Sequence, residues 1–297
     1  MSDQNYFWLE VPDSSWAGRD IISVSGIEVP RLTVEGTRFL IINFPHFGGS
    51  LDTEQSRYLA HLSHHNGWRY VTCAWPGVEC GDRKIENMST VQSFAQAEAL
   101  FEQAAQEVAG DTRIIIIGSS LSTTPALRMG KKHADLVDHV FLLSPGYDII
   151  KHMIIPLLKE NYEQWHARPG QVYLQHPFYV PFHKPVGKFG YISREDLDTV
   201  RKFQLFDDGA TLENMPPVTI IAGEKDAQIP FSEAQKLCSL IRIREGEKTE
   251  APKLIGIEHG KHLLIKPEEL ELLGGAMISA MRQSLDRYQP CTQQAKL

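Results

Sequence analysis

A chain of 297 residues is long enough for one large domain with a substantial core, or for a domain carrying an insertion. With 30 Lys and Arg against 37 Asp and Glu, the net charge is -7. That balance leaves no electrostatic footprint for nucleic acid or an anionic membrane surface, so neither partner is expected.

The opening residues MSDQNYFWLE lack the basic and apolar regions of a signal peptide. No apolar stretch approaches the roughly 18 residues of a membrane span. Cys73, Cys80, Cys238 and Cys291 are scattered, with no CxxC pair. A cytoplasmic protein with reduced thiols is the expectation.

Residues 1–37 read as a short antiparallel start, with strands Ile21–Val24 and Val29–Val34 joined through Ser25-Gly26. Arg38–Ile42 predicts a buried strand that empties into Asn43-Phe44-Pro45-His46-Phe47-Gly48-Gly49-Ser50. Two glycines after a strand let backbone N–H groups approach a ligand. Thr53–Asn66 predicts a helix bearing His61, His64 and His65. No Cys or carboxylate stands at ligand spacing near these histidines, so they read as a helix end and no metal is expected.

Tyr70–Trp75 predicts the next strand, ending at Pro76-Gly77. Ser89–Ala109 predicts a helix whose apolar face carries Phe94, Ala97, Phe101, Ala104 and Val108, with Gly110 as its stop. Arg113–Leu127, RIIIIGSSLSTTPAL, follows. A β-branched run is what a parallel strand buried on both faces looks like. Gly118-Ser119-Ser120-Leu121-Ser122 then breaks it where the chain must turn into a helix, predicted over Thr123–His133. A serine there is placed like a nucleophile on a strained turn. His139–Leu143 predicts another strand, closing at Ser144-Pro145-Gly146. Strand-helix alternation of this kind predicts a parallel sheet.

The texture changes at Tyr147. Asp148–Leu158 is apolar and helix-like, and about one residue in six between 151 and 210 is aromatic, against 9% for the chain. Pro177, Pro181 and Pro185 break any long helix. A segment of this length interrupting the alternation reads as an inserted cap over an apolar cleft. The predicted organisation is a core of 1–146 and 215–297 with a cap of 147–214.

The alternation resumes with strand Val218–Ala222, ending in Gly223-Glu224-Lys225-Asp226. Ser232–Ile241 predicts a helix with Ser232 as N-cap. Lys253–Ile257 predicts the last strand, followed by Glu258-His259-Gly260-Lys261-His262. Pro267 opens a final helix with Glu268 and Glu269 in its first turn, and Gln289–Leu297 reads as a polar tail.

Ser120, Asp226 and His262 thus stand in that order at carboxyl ends of predicted strands. A serine hydroxyl needs a base during attack; neutral imidazole can accept the proton, and a carboxylate on its other nitrogen fixes the tautomer. The two-residue offset from Gly118 favours Ser120 over Ser119. Asp148 is an alternative acid, and His259 an alternative base.

Over roughly 26–146 and 215–285 the chain resembles the α/β-hydrolase superfamily, in which the order Ser, Asp, His is the rule. Pro45-His46-Phe47-Gly48-Gly49-Ser50 is similar to its HGFGGS-type oxyanion loop, with Pro45-His46 where His-Gly is common. Trp75-Pro76-Gly77 through Asp82 resembles the segment written DxPGxGxS. Gly118–Ser122 matches the elbow G-x-S-x-G except at Ser122. Lys131–Pro145 is similar to the helix-strand unit after the elbow, Pro216–Pro230 to the acid-bearing segment, and Gly260-Lys261-His262 ahead of Pro267-Glu268-Glu269 to the histidine loop.

The resemblance implies an α/β fold with a mostly parallel sheet, flanking helices and an inserted cap. It implies no cofactor, and oxyanion donors from the backbone N–H groups of Phe47 and Leu121. His46 and Ser122 are candidate pocket residues. The expected activity is a serine esterase or thioesterase acting on an apolar, medium-sized small-molecule substrate through an acyl-enzyme on Ser120. The alternatives are an acyltransferase or cyclase with the same triad, or a non-hydrolytic binding or cyclisation protein.

Overall fold

The structure, a computed structural model, describes residues 5–12, 21–29, 39–46, 49, 51, 53–74, 90–106, 112–148, 151, 172–174, 189–192, 204–206, 210–245 and 248–288. Strands β1 (Asn5–Pro12) and β2 (Ile21–Val29) lead to β3 (Phe39–Phe44), helix α1 (Glu54–His65), β4 (Arg69–Cys73) and α2 (Thr90–Gln106). Next come β5 (Arg113–Ser119), a 3₁₀ turn (Ser120–Ser122), α3 (Thr123–Lys132) and β6 (Val137–Leu143). Strands β7 (Val172–Leu174) and β8 (Phe189–Ile192) pair antiparallel as a separate two-stranded sheet. The chain returns through β9 (Leu212–Met215), β10 (Val218–Gly223), α4 (Phe231–Leu240), β11 (Ile241–Glu245), β12 (Lys248–Glu250), β13 (Lys253–Ile257) and α5 (Pro267–Tyr288).

The main sheet runs β1-β2-β4-β3-β5-β6-β10-β13. Its last six strands are parallel, and β1 and β2 add an antiparallel edge. The four isoleucines of β5 explain how this sheet is held. Side chains alternate along a strand, so Ile114 and Ile116 join one apolar cluster with Phe101 of α2, Leu127 of α3 and Leu237 of α4. Ile115 and Ile117 join the cluster on the opposite face, with Leu59 of α1 and Met277 of α5. All four are fully buried, each contributing about 1.5–3 kcal/mol of apolar transfer. β5 can be uniformly β-branched because helices cover both its faces.

The strand order places β4 to one side of β3 and β5 to the other. The crevice between the carboxyl ends of β3 and β5 is therefore a topological switch point, where open α/β sheets bind ligands.

Three sequence expectations are corrected. Ser25-Gly26 is no turn: β2 runs through it, with Gly26 paired to Phe7 on one side and Cys73 on the other. The partner strand is β1, which shows no clean alternation in sequence, and the predicted strand Val29–Val34 extends beyond Val29 only into residues outside those described. Ser232 is the second residue of α4, whose N-cap is Pro230, and Ile241 already belongs to β11. The small sheet β12-β11-β9 was unforeseen. Its strands are three to five residues long, too short for periodicity to register. Leu212 of β9 is buried in the same cluster as Met215.

Apart from the residues described above, the predicted cap 147–214 lies outside the described residues, as do the Trp75–Asp82 segment and the predicted helix Asp148–Leu158 beyond its first residue and Lys151.

Candidate active site

Ser120 follows directly on the last residue of β5 and begins the turn into α3. Its φ is 54°, a left-handed backbone in a non-glycine residue, which costs of order 1–3 kcal/mol and persists only where the surroundings enforce it. The surroundings do so here. The Ser120 carbonyl accepts from Gly146 N at 3.0 Å. A Cβ on Gly118 would lie 2.6 Å from Ala126 Cβ and 2.7 Å from the Ser122 carbonyl oxygen, so only glycine lets α3 fold back this closely on β5.

The turn aims the side chain at His262, with Ser120 Oγ 2.9 Å from His262 Nε2. His262 Nδ1 lies 2.7 Å from Asp226 Oδ2. Asp226 follows β10 and His262 follows β13, so neighbouring parallel strands deliver both to the same sheet edge as Ser120. The second carboxylate oxygen of Asp226 accepts from Gln228 N at 2.8 Å and Ile229 N at 2.9 Å. The Asp226 side chain is 1% exposed and the His262 side chain 10%. With a proton on Nδ1 donated to Asp226, the Nε2 lone pair faces the hydroxyl.

The alternatives take other places. Ser119 donates from Oγ to Gln55 Oε1 at 2.8 Å. Asp148 accepts from Lys151 N at 3.0 Å. The His259 side chain is 78% exposed.

Leu121 is buried in the 3₁₀ turn. At the start of a helical segment its N–H has no acceptor within that segment. The other expected donor, Phe47, lies outside the described residues; next to it, His46 is partly buried and its carbonyl accepts from Gly49 N at 2.8 Å. Ser122 has φ -70°, a conformation that does not call for glycine. It is buried, and its Oγ donates to the Pro45 carbonyl at 2.5 Å.

Two parts of this arrangement were not foreseen. Gln55 gave no signal beyond its place in the first turn after the N-cap Thr53. The backbone amides of Gln228 and Ile229 leave no mark in a sequence. Among the described residues, no group of three or more His, Cys, Asp or Glu side chains could hold a metal, and no helix is long and apolar enough to cross a membrane.

Residues 40–176 match the family described as alpha/beta hydrolase fold. No curated protein matches the chain. Solved structures similar to it include a protein from Agrobacterium vitis S4, with 18% identity, a TM-score of 0.73, and 93% of this chain and 98% of that one covered. The alpha/beta hydrolase domain-containing protein 10 from mouse is 13% identical, with a TM-score of 0.68 and coverage of 93% and 99%. Est1E from Butyrivibrio proteoclasticus, in a structure with bound ferulic acid, is 15% identical, with a TM-score of 0.63 and coverage of 94% and 99%. At these identities the likeness is one of fold.

Proposed function

Given the α/β-hydrolase fold of this chain, we propose that it is a serine hydrolase that cleaves a carboxylic ester or thioester through an acyl-enzyme on Ser120. The observation that carries this reading is the continuous contact from Ser120 Oγ to His262 Nε2 and from His262 Nδ1 to Asp226 Oδ2.

In the proposed reaction the Ser120 oxygen attacks the carbonyl carbon as its proton passes to His262 Nε2. The imidazolium is stabilised by Asp226, which stays ionised while Gln228 and Ile229 donate to its far oxygen. Negative charge develops on the carbonyl oxygen, where the N–H of Leu121 and of the loop after β3 are the proposed donors. Removing one such donor typically costs about 10²–10³ in rate. His262 then returns the proton to the leaving alcohol or thiol. Water, activated by the same nitrogen, releases the acid and frees Ser120. The insertion 147–214 is proposed as the cap that supplies apolar contacts to the substrate; its aromatic composition supports an apolar, medium-sized acyl or alkyl group.

A fluorophosphonate probe tests the reading. The wild-type chain is expected to be labelled at Ser120, and Ser120→Ala to lose the label; intact labelling of that variant would overturn the assignment. A panel of alkyl esters, aryl esters and acyl thioesters then separates the substrate classes. Hydroxycinnamoyl esters are added to it because one neighbour of the same fold holds ferulic acid, a hydroxycinnamic acid.

A further inference from the structure

The elbow contains three serines, and the proposed chemistry uses one. We propose that the two others, Ser119 and Ser122, are positioning residues that clamp the loop between β3 and α1 against the elbow, one at each end of that loop. This rests on the reading of Ser120 as nucleophile.

Attack requires the Ser120 oxygen and the donors of the loop after β3 to converge on one carbonyl group, yet they belong to different strands. The β3–β5 ladder holds those strands together only as far as the pair Phe44↔Gly118. Beyond that rung, side-chain hydrogen bonds take over. Ser122 Oγ donates to the carbonyl of Pro45, the first residue after β3. Ser119 Oγ donates to Oε1 of Gln55, in the first turn of α1. One bond therefore anchors the start of the loop and the other anchors its end.

Both bonds are sheltered. Ser119 is 4% exposed, Ser122 3% and Gln55 5%. Water does not compete for these groups, and an unmet partner would be left in a poorly solvated place. Within the loop, Gly49 N also donates to the His46 carbonyl. A Cβ on Gly49 would meet the His46 carbonyl oxygen and Pro45 Cβ at 2.8 Å, so the chain is tightly folded where Ser122 holds it. The clamp also accounts for serine at position 122, where the elbow motif has glycine: the backbone there does not need glycine, and the hydroxyl has an acceptor.

The test compares Ser119→Ala, Ser122→Ala, Gln55→Met and the double variant Ser119→Ala/Gln55→Met with wild type. The readouts are the rate of fluorophosphonate labelling on the folded fraction and steady-state kinetics on p-nitrophenyl butyrate. Each single variant is expected to lower the labelling rate and kcat by about 5–50-fold with KM changed by less than about twofold, because the loss falls on the transition state. The pH midpoint of labelling should not move, since His262 and Asp226 are untouched. The double variant should be no slower than either single, as both remove one bond. Ser122→Thr, which keeps the hydroxyl, should retain most of the rate, and Ser122→Gly should resemble Ser122→Ala. Wild-type rates in Ser119→Ala and Ser122→Ala, with Ser120 still labelled, would overturn the clamp alone. A wild-type protein that does not react at Ser120 would overturn both the nucleophile assignment and the clamp.

Discussion

Gly223 and Gly260 meet backbone to backbone. A Cβ on Gly223 would lie 2.3 Å from the Gly260 carbonyl carbon and oxygen, and one on Gly260 would lie 2.9 Å from Gly223 Cα. Lys225 N donates to the Gly260 carbonyl at 3.0 Å across the same junction. These glycines stand just before Asp226 and His262 in sequence, so their contact sets how closely the acid-bearing and histidine loops approach. Gly223→Ala is expected to destabilise the fold by about 1–3 kcal/mol through overpacking against backbone that cannot yield. Labelling of Ser120 should slow beyond what the unfolded fraction explains; thermal melts and labelling rates on one preparation check this.

Asp226→Asn tests the tautomer. The Asn oxygen can still accept from Gln228 and Ile229, which turns its NH₂ toward His262 Nδ1. That arrangement makes Nδ1 an acceptor and puts the ring proton on Nε2, facing Ser120, where no proton can be taken up. A loss of about 10³–10⁴ in rate is expected, with the fold retained. Ester turnover at neutral pH, compared with circular dichroism of the same variant, measures it.

Glu102 of α2 gives the fold an acid-sensitive element. Burial by itself would raise its carboxyl, but Lys132 at the end of α3 and His133, its C-cap, outweigh it and hold the group below its ordinary 4.5. His133 Nε2 lies 3.1 Å from Glu102 Oε1, and Lys132 Nζ pairs with the same oxygen. A carboxyl lowered in the folded state stabilises above its unfolded value, and that contribution is lost as pH falls through the folded value. The melting temperature of wild type should therefore exceed that of Glu102→Gln at neutral pH and converge with it as pH drops below 4.5. The Glu102 side chain is 36% exposed, so the gap should sit at the low end of about 0.2–1 kcal/mol.

Adjacent glycines in α5 should behave oppositely. Gly275 is exposed and an added Cβ there meets nothing within 4 Å, whereas one on Gly274 would lie 2.2 Å from the Tyr58 hydroxyl of α1. Gly275→Ala should stabilise by about 0.5–1 kcal/mol by restricting the unfolded chain and favouring helix. Gly274→Ala should show no such gain, because Tyr58 has to move. Chemical denaturation of the two variants decides it.

Local chemistry makes much of the parallel sheet legible in the sequence alone. The isoleucines of β5 predict burial on both faces, and both are buried; Lys253–Ile257 forms β13 with the predicted bounds. Helix α5 begins at Pro267 as expected, because proline and acidic residues favour a first turn wherever it occurs. What failed were elements whose reason for existing lies elsewhere in the chain. β2 runs through Ser25-Gly26 because β1 and β4 pair with it on both sides.

By itself, the sequence determined the strand-helix alternation and the order Ser120, Asp226, His262, since periodicity and turn residues act over a few positions. Only the tertiary structure decided which neighbours of those residues meet. That Ser119 finds Gln55, Ser122 finds the Pro45 carbonyl, and Asp226 takes its second oxygen to Gln228 and Ile229 depends on where strands bring backbone groups together. A backbone carbonyl or amide is the same in every residue, so no composition or spacing marks the one that will serve as partner.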